Sequence, residues 1–299
     1  MPSEGNWAGL DKGRTLAGKV AIVTGGGRGI GRVVALALAR QGAVVMLAPR
    51  TERDLGSVVA EVTAAGGRGD AVVTDVANPV AVDALVAHTV RGYGGIDILV
   101  NAAGVLGPIG PLASIDLDAW LSAININLWG VAMTCRAVLP HMTARRHGTI
   151  VNLSGGGATA PKPRLSAYAA SKAAVVRLTE TLAEEVKDRG VTVNAIAPGA
   201  VDTRMIQQLV DAGPSAGPAI AAEVAGVRRT GGADPQRAAD LAVFLASDRG
   251  CGLTGRLISA IHDPWDTWGP EDIRRLMEGP WFTLRRVDRH TLGKLAGRP

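Results

Sequence analysis

Seven short apolar runs, at 20–23, 43–47, 71–73, 96–100, 149–153, 192–196 and 257–261, alternate with stretches of helical periodicity. The helical stretches fall at 29–41, 52–65, 79–91, 118–139, 166–188 and 235–247. A strand that is apolar throughout needs cover on both faces, and repeated strand–helix–strand order builds a parallel sheet. The expected fold class is therefore α/β: a doubly wound, mostly parallel seven-stranded sheet with helices on both faces. The alternation occupies 18–261 of the 299 residues, a span that fits one domain. Residues 1–17 read as a flexible N-terminal extension. An Ala-, Gly- and Pro-rich stretch at about 203–232 follows the sixth strand, where a lid over the sheet's carboxyl end would sit. Residues 262–299 form a C-terminal tail carrying Trp265, Trp268, Trp281 and Phe282. Two placements stay open for it: packing on its own domain or a partner subunit, or covering the crevice.

The formal charge of +5 includes tail arginines at 274, 275, 285, 286, 289 and 298. Such a surface attracts anions. No zinc-finger, basic-zipper or RNA-recognition signature accompanies it, so no nucleic-acid partner is expected. The two cysteines, Cys135 and Cys251, show no disulfide framework, which fits a reducing compartment. No window approaches the roughly 18 consecutive apolar residues of a membrane span. Met1 to Arg14 lacks an apolar signal core. A cytoplasmic location with no membrane partner is the expectation. His88, His141, His147, His262 and His290 lack metal-ligand spacing, and no metal is expected.

After the first run comes Thr24-Gly25-Gly26-Gly27-Arg28-Gly29-Ile30-Gly31, then a helix. Glycines let backbone turn tightly and approach a pyrophosphate, and the helix start offers it free N–H groups. At the first strand-to-helix junction of an α/β chain, this turn predicts a dinucleotide. NAD-preferring sites place a carboxylate at the end of the second strand. Here Arg50 stands there, with Arg28 nearby in the turn, and two guanidinium groups can grip a 2′-phosphate. NADP(H) is expected over NAD(H), although Glu52 keeps NAD(H) possible. Asp75, read as ending the third strand beside Val76, is expected to accept a hydrogen bond from the adenine amine. Asn101, Ala102 and Gly104 follow the fourth strand, where small residues let backbone lie against the cofactor.

Tyr168 and Lys172 are four apart in a helix and share a face. A free tyrosine has a pKa of about 10. An ammonium one turn away is expected to lower it, so that the pair exchanges a proton with an alcohol or carbonyl oxygen.

With these motifs the chain resembles the short-chain dehydrogenase/reductase family. The resemblance rests on Thr24–Gly31, Asn101–Gly104, Asn127-Leu128-Trp129-Gly130, Tyr168-x-x-x-Lys172 and Pro198-Gly199-x-x-x-Thr203, in the family's order over roughly 18–260. It implies a Rossmann-type fold and a homodimer or homotetramer packed through the helices of Asn127 and Tyr168. It implies hydride transfer between NADP(H) and a small ketone or alcohol, with Tyr168 as acid/base, Lys172 as its helper and Asn127 supporting a water relay. Pro198, Gly199, Val201 and Thr203 would line the nicotinamide. One position departs from the family: 13 residues before the tyrosine, where the family places a serine, stands Gly155. Ser154, one step earlier, is a candidate replacement, with Thr159 or a backbone N–H as alternatives. The departure keeps two rivals open: a catalytically silent NADP-binding sensor or scaffold, and an epimerase or lyase that cycles its bound nicotinamide.

Overall fold

The computed structural model describes residues 14–52 and 55–286. The strands are β1 (Val20–Thr24), β2 (Val44–Ala48), β3 (Arg68–Ala71), β4 (Ile98–Asn101), β5 (Gly148–Leu153), β6 (Val191–Ala197) and β7 (Leu257–Ser259). They form one sheet in the order β3-β2-β1-β4-β5-β6-β7, and every neighbouring pair is parallel. This is the Rossmann-type doubly wound arrangement, with the chain reversing direction across the sheet between β1 and β4.

Strand alternation explains how both faces are covered. Ala21 and Val23 join one buried cluster, Ile22 the other; Val45 and Leu47 separate from Met46 and Ala48 in the same way. The first cluster packs under α1 (Gly29–Arg40) and α9 (Pro235–Ala246), with Val58 and Val62 of α2 (Leu55–Ala64). The second packs under α3 (Pro79–Tyr93), α5 (Gly130–Arg145) and α6 (Ser166–Val186).

Three expectations shift. The third strand lies at Arg68–Ala71 rather than 71–73, because this half-exposed edge strand pairs with β2 alone and needs no apolar run. The helix expected over 118–139 is divided into α4 (Leu117–Ile124), a π-helical turn (Asn125–Trp129) and α5. Within the expected flexible extension, Leu16 is fully buried in the first cluster, and its N–H bonds the Gln41 carbonyl at 2.9 Å. Residues 1–13, and the tail sites at His290, Arg289 and Arg298, lie outside the described residues.

The stretch after β6 is helical: α7 (Arg204–Asp211) and α8 (Gly217–Thr230), closed at its base by a bridge between Val201 and Gly232. The chain after β7 packs on its own domain. Trp265 is 2% exposed, 5.7 Å from Phe244, and its indole N–H donates to the Ala260 carbonyl. Trp268 and residues of α10 (Pro270–Glu278) join the same cluster. Buried Arg256 donates to the carbonyls of Leu276 and Gly279, closing the carboxyl end of α10. Beyond it the Leu257 N–H donates to the Phe282 carbonyl at 2.7 Å, and within the turn after β7 the Ser259 N–H donates to the Asp263 carboxylate at 2.6 Å. Trp265→Ala should lower unfolding free energy by about 3–5 kcal/mol in denaturant titration. A loss below about 1 kcal/mol would mean that this segment is not part of the domain's cooperative core.

Candidate active site

The crevice opens where the sheet order reverses, at the carboxyl ends of β1 and β4. The Thr24 hydroxyl accepts hydrogen bonds from the N–H groups of Ala102 and Ala103, at 3.2 and 3.3 Å. That ties the glycine turn to the loop after β4. Gly25 has φ +63° and would place a β-carbon 2.8 Å from Ala103, while one at Gly31 would lie 2.5 Å from the Gly25 carbonyl oxygen. Backbone therefore fills the space that side chains would take. The N-cap of α1, Arg28, makes no side-chain capping bond, so the first turn of the helix keeps its N–H groups directed at the crevice. An uncapped helix start behind a glycine cradle fits the pyrophosphate of a dinucleotide. Gly27, Gly29 and Ile30 complete the turn, and a β-carbon at Gly29 would lie 3.9 Å from Thr203 Cγ2. Thr203 is the N-cap of α7, so the far wall of the crevice is the start of the helical stretch after β6. Pro198 and Val201 are buried, and Gly199, at φ +82°, turns the chain between them.

Arg28 and Arg50 are both exposed, and among the described residues neither has an acidic partner. Asp75 does not end a strand. It lies in the loop beyond β3, exposed, with its carboxylate accepting from the Ala77 N–H at 2.9 Å. Neighbouring Val76 is buried against Gly130. Asn101 is held inside the sheet end: it donates to the Asn152 side chain at 2.9 Å and accepts from Thr134 at 2.7 Å. A β-carbon at Gly104 would lie 3.3 Å from Asn127 Oδ1 and 3.6 Å from Lys172 Nζ, so the loop after β4 passes directly beside these two side chains.

Asn127 occupies the middle of the π turn and is fully buried. Its side chain accepts from the Val105 N–H and donates to the Val105 carbonyl, both at 2.8 Å, and donates to Ser171 at 3.0 Å. Its amide thus pins the loop after β4 to α6. A π turn inside an α-helix costs regular hydrogen bonding and recurs at functional sites.

Tyr168 and Lys172 share one face of α6, with Lys172 Nζ 5.9 Å from the phenol ring centre. Lys172 Nζ donates to the Leu153 carbonyl at 2.7 Å. Burial pushes the Tyr168 phenol up to about 12, and the Glu223 carboxylate pushes in the same direction. Burial also pulls the Lys172 ammonium down to about 8. The expected lowering of the phenol by Lys172 is not what this site does: desolvation dominates, and the phenol is kept protonated.

The expectation for Ser154 also changes. Its hydroxyl donates to the Lys172 carbonyl at 3.3 Å, and its N–H to Ile196, so it stitches the end of β5 to α6 and β6. Gly155 faces the phenol instead: a β-carbon there would lie 2.3 Å from the Tyr168 hydroxyl. An alternating strand end sends Ser154 and Gly155 to opposite sides, which is why one residue of offset matters.

Two groups escaped the sequence reading. Lys162, between Pro161 and Pro163, is ion-paired with Glu223 of α8, and Glu223 acts on the Tyr168 phenol. A lysine fixed between two prolines, and the lone acid of the stretch 213–230, were the available signals. Around them, Leu106, Leu165, Ile206, Leu209, Ile220 and Val227 form an apolar cluster against which Tyr168 packs.

No helix among the described residues is long and apolar enough to cross a membrane. The short chain dehydrogenase family profile matches residues 19–213. The chain is 36% identical over 245 residues to the 3-oxoacyl-[acyl-carrier-protein] reductase FabG of Thermotoga maritima, covering 81% of this chain and 96% of that one. It is 39% identical over 242 residues to the short-chain reductase protein NovJ of Streptomyces niveus, covering 80% and 91%. Among solved structures it superposes on an NAD+-bound xylitol dehydrogenase with a TM-score of 0.76 at 30% identity, covering 82% of this chain and 98% of the other. Fold, crevice and sequence agree: the chain belongs to the short-chain dehydrogenase/reductase family of oxidoreductases.

Proposed function

We propose that this oxidoreductase interconverts a ketone and a secondary alcohol with NADP(H), with Tyr168 as the acid. The observation that carries the reading is the half-buried Tyr168 phenol lying against Gly155, with Lys172 one turn along the same helix. A bound nicotinamide supplies or accepts the hydride. Tyr168 gives its proton to the carbonyl oxygen in reduction and recovers it in oxidation. Lys172 supplies positive charge beside that oxygen and a donor for the cofactor ribose. Asn127 is a positioning residue, since its amide is spent on Val105 and Ser171. The glycine turn, Asn101, Ala102, Gly104, Pro198, Gly199, Val201 and Thr203 form the dinucleotide crevice, and Asp75 and Val76 stand at its adenine end.

Tyr168→Phe should cut ketone reduction at least about a hundredfold while NADPH still binds, read by steady-state assay over a ketone panel and by titration. Equal rates in wild type and variant would favour the second reading, a silent NADP-binding protein, which the missing hydroxyl at Gly155 supports.

Ser154→Ala should leave turnover within about twofold, because its hydroxyl serves the Lys172 carbonyl; it should cost roughly 1 kcal/mol of stability. Gly155→Ala should abolish turnover by displacing the phenol. A tenfold loss in Ser154→Ala would return that hydroxyl to the mechanism.

NADP(H) preference rests on Arg28 and Arg50, two exposed guanidinium groups at the ends of the glycine turn and β2. Arg50→Asp should weaken NADPH far more than NADH in a direct titration, and equal losses would contradict the assignment. A second copy of the chain is the proposed partner, through exposed Leu112, Leu117, Leu121 and Trp129 on and beside α4.

A further inference from the structure

The three glycines after Ser154 divide their work. Gly155 faces the Tyr168 hydroxyl, whereas Gly156 and Gly157 lie under the Lys162 side chain. A β-carbon at Gly157 would meet Ala169 Cα at 2.9 Å and Lys162 Cγ at 3.4 Å, and one at Gly156 would meet Lys162 Cε at 3.5 Å and Nζ at 3.9 Å. The ammonium therefore lies beside Gly156, one residue along the chain from the glycine that faces the phenol. Its acidic partner among the described residues is Glu223, on the opposite wall, where α8 belongs to the lid. Both side chains are partly buried, at 21% and 34% exposure. The neighbouring wall is apolar, built from Leu106, Leu165, Ile206 and Ile220.

The same loop brings a second cation. Arg164 is held at φ +72°, its carbonyl accepting from Gly110 and its guanidinium donating to the Ser215 carbonyl of the lid at 3.3 Å. Two cations on the loop thus reach the stretch after β6, Lys162 at the Glu223 carboxylate and Arg164 at the Ser215 carbonyl. A partly desolvated ion pair gives little net stability, and its removal from an apolar wall is often neutral or favourable. The pair is better explained by exchange: an incoming anion takes Glu223's place on Lys162, and the carboxylate moves outward on α8.

We propose that Lys162 is a specificity-determining residue that binds a carboxylate on the substrate, so that the ketone reduced at Tyr168 is a keto acid. This rests on the ketone-reduction reading above. The Lys162 stem passes beside Gly157 and its ammonium lies beside Gly156.

The test uses levulinate and longer straight-chain keto acids, each beside its methyl ester, with NADPH and the whole protein. A charged hydrogen bond lost on esterification should lower kcat/KM about tenfold or more for at least one pair. Lys162→Met should bring the acid-to-ester ratio towards one, chiefly through KM. Glu223→Gln, which removes the competing carboxylate and keeps the shape, should lower KM for the acid. Calorimetric titration of the same acids and esters onto the NADP+-loaded protein separates the two readings. Acid-selective binding that depends on Lys162, with no turnover of any ketone, would sink ketone reduction and keep this assignment. Turnover or binding with no preference for the acid, or a preference unchanged in Lys162→Met, overturns it.

Discussion

The contact between the turn after β1 and the loop after β4 is what the site depends on. These two segments leave adjacent parallel strands at the point where the chain changes direction across the sheet, and nothing in strand pairing alone holds them together. One hydroxyl does, that of Thr24, accepting from Ala102 and Ala103, with glycine on the facing side so that backbone meets backbone. The Asn127 amide then fixes the continuation of that loop at Val105 to α6, which carries Tyr168 and Lys172. The crevice and Tyr168 are thereby tied into one frame, whereas α7 and α8 meet that frame through apolar side chains and a few polar ties.

Burial, more than neighbouring charge, sets the proton chemistry of this frame. The lysine has its own ammonium weakened by the same desolvation that strengthens the phenol's hold on its proton. A tyrosine in such a setting keeps its proton at neutral pH and is a poor resting base. With glycine at 155, no side chain stands between the end of β5 and the phenol.

Much of this was legible in the sequence because it depends on short-range pattern. Unbroken apolar runs gave six of the seven strands near their places, and the glycine spacing and the Tyr168–Lys172 interval gave the crevice and the helix face. The misses have physical causes. Arg68–Ala71 pairs on one side only, so hydrophobicity does not mark it. The π turn at Asn125–Trp129 has no composition of its own; it follows from seating a buried amide against a distant loop. Which of Ser154 and Gly155 meets the phenol turns on strand pleat, a matter of one residue. The Lys162–Glu223 pair joins positions 61 residues apart through lid packing, beyond the reach of any local pattern.

The short strand β7 ends the sheet, and such a margin is normally a place where a foreign strand can add itself through unpaired peptide groups. Here the N–H groups of Leu257 and Ser259 are already taken, one by the Phe282 carbonyl and one by the Asp263 carboxylate. The chain thus seals its own border with the stretch that follows it. Growth of the sheet into a second molecule along this side would first require peeling away a segment anchored by Trp265 and Arg256, so intermolecular strand addition is discouraged by the same aromatic packing that completes the fold.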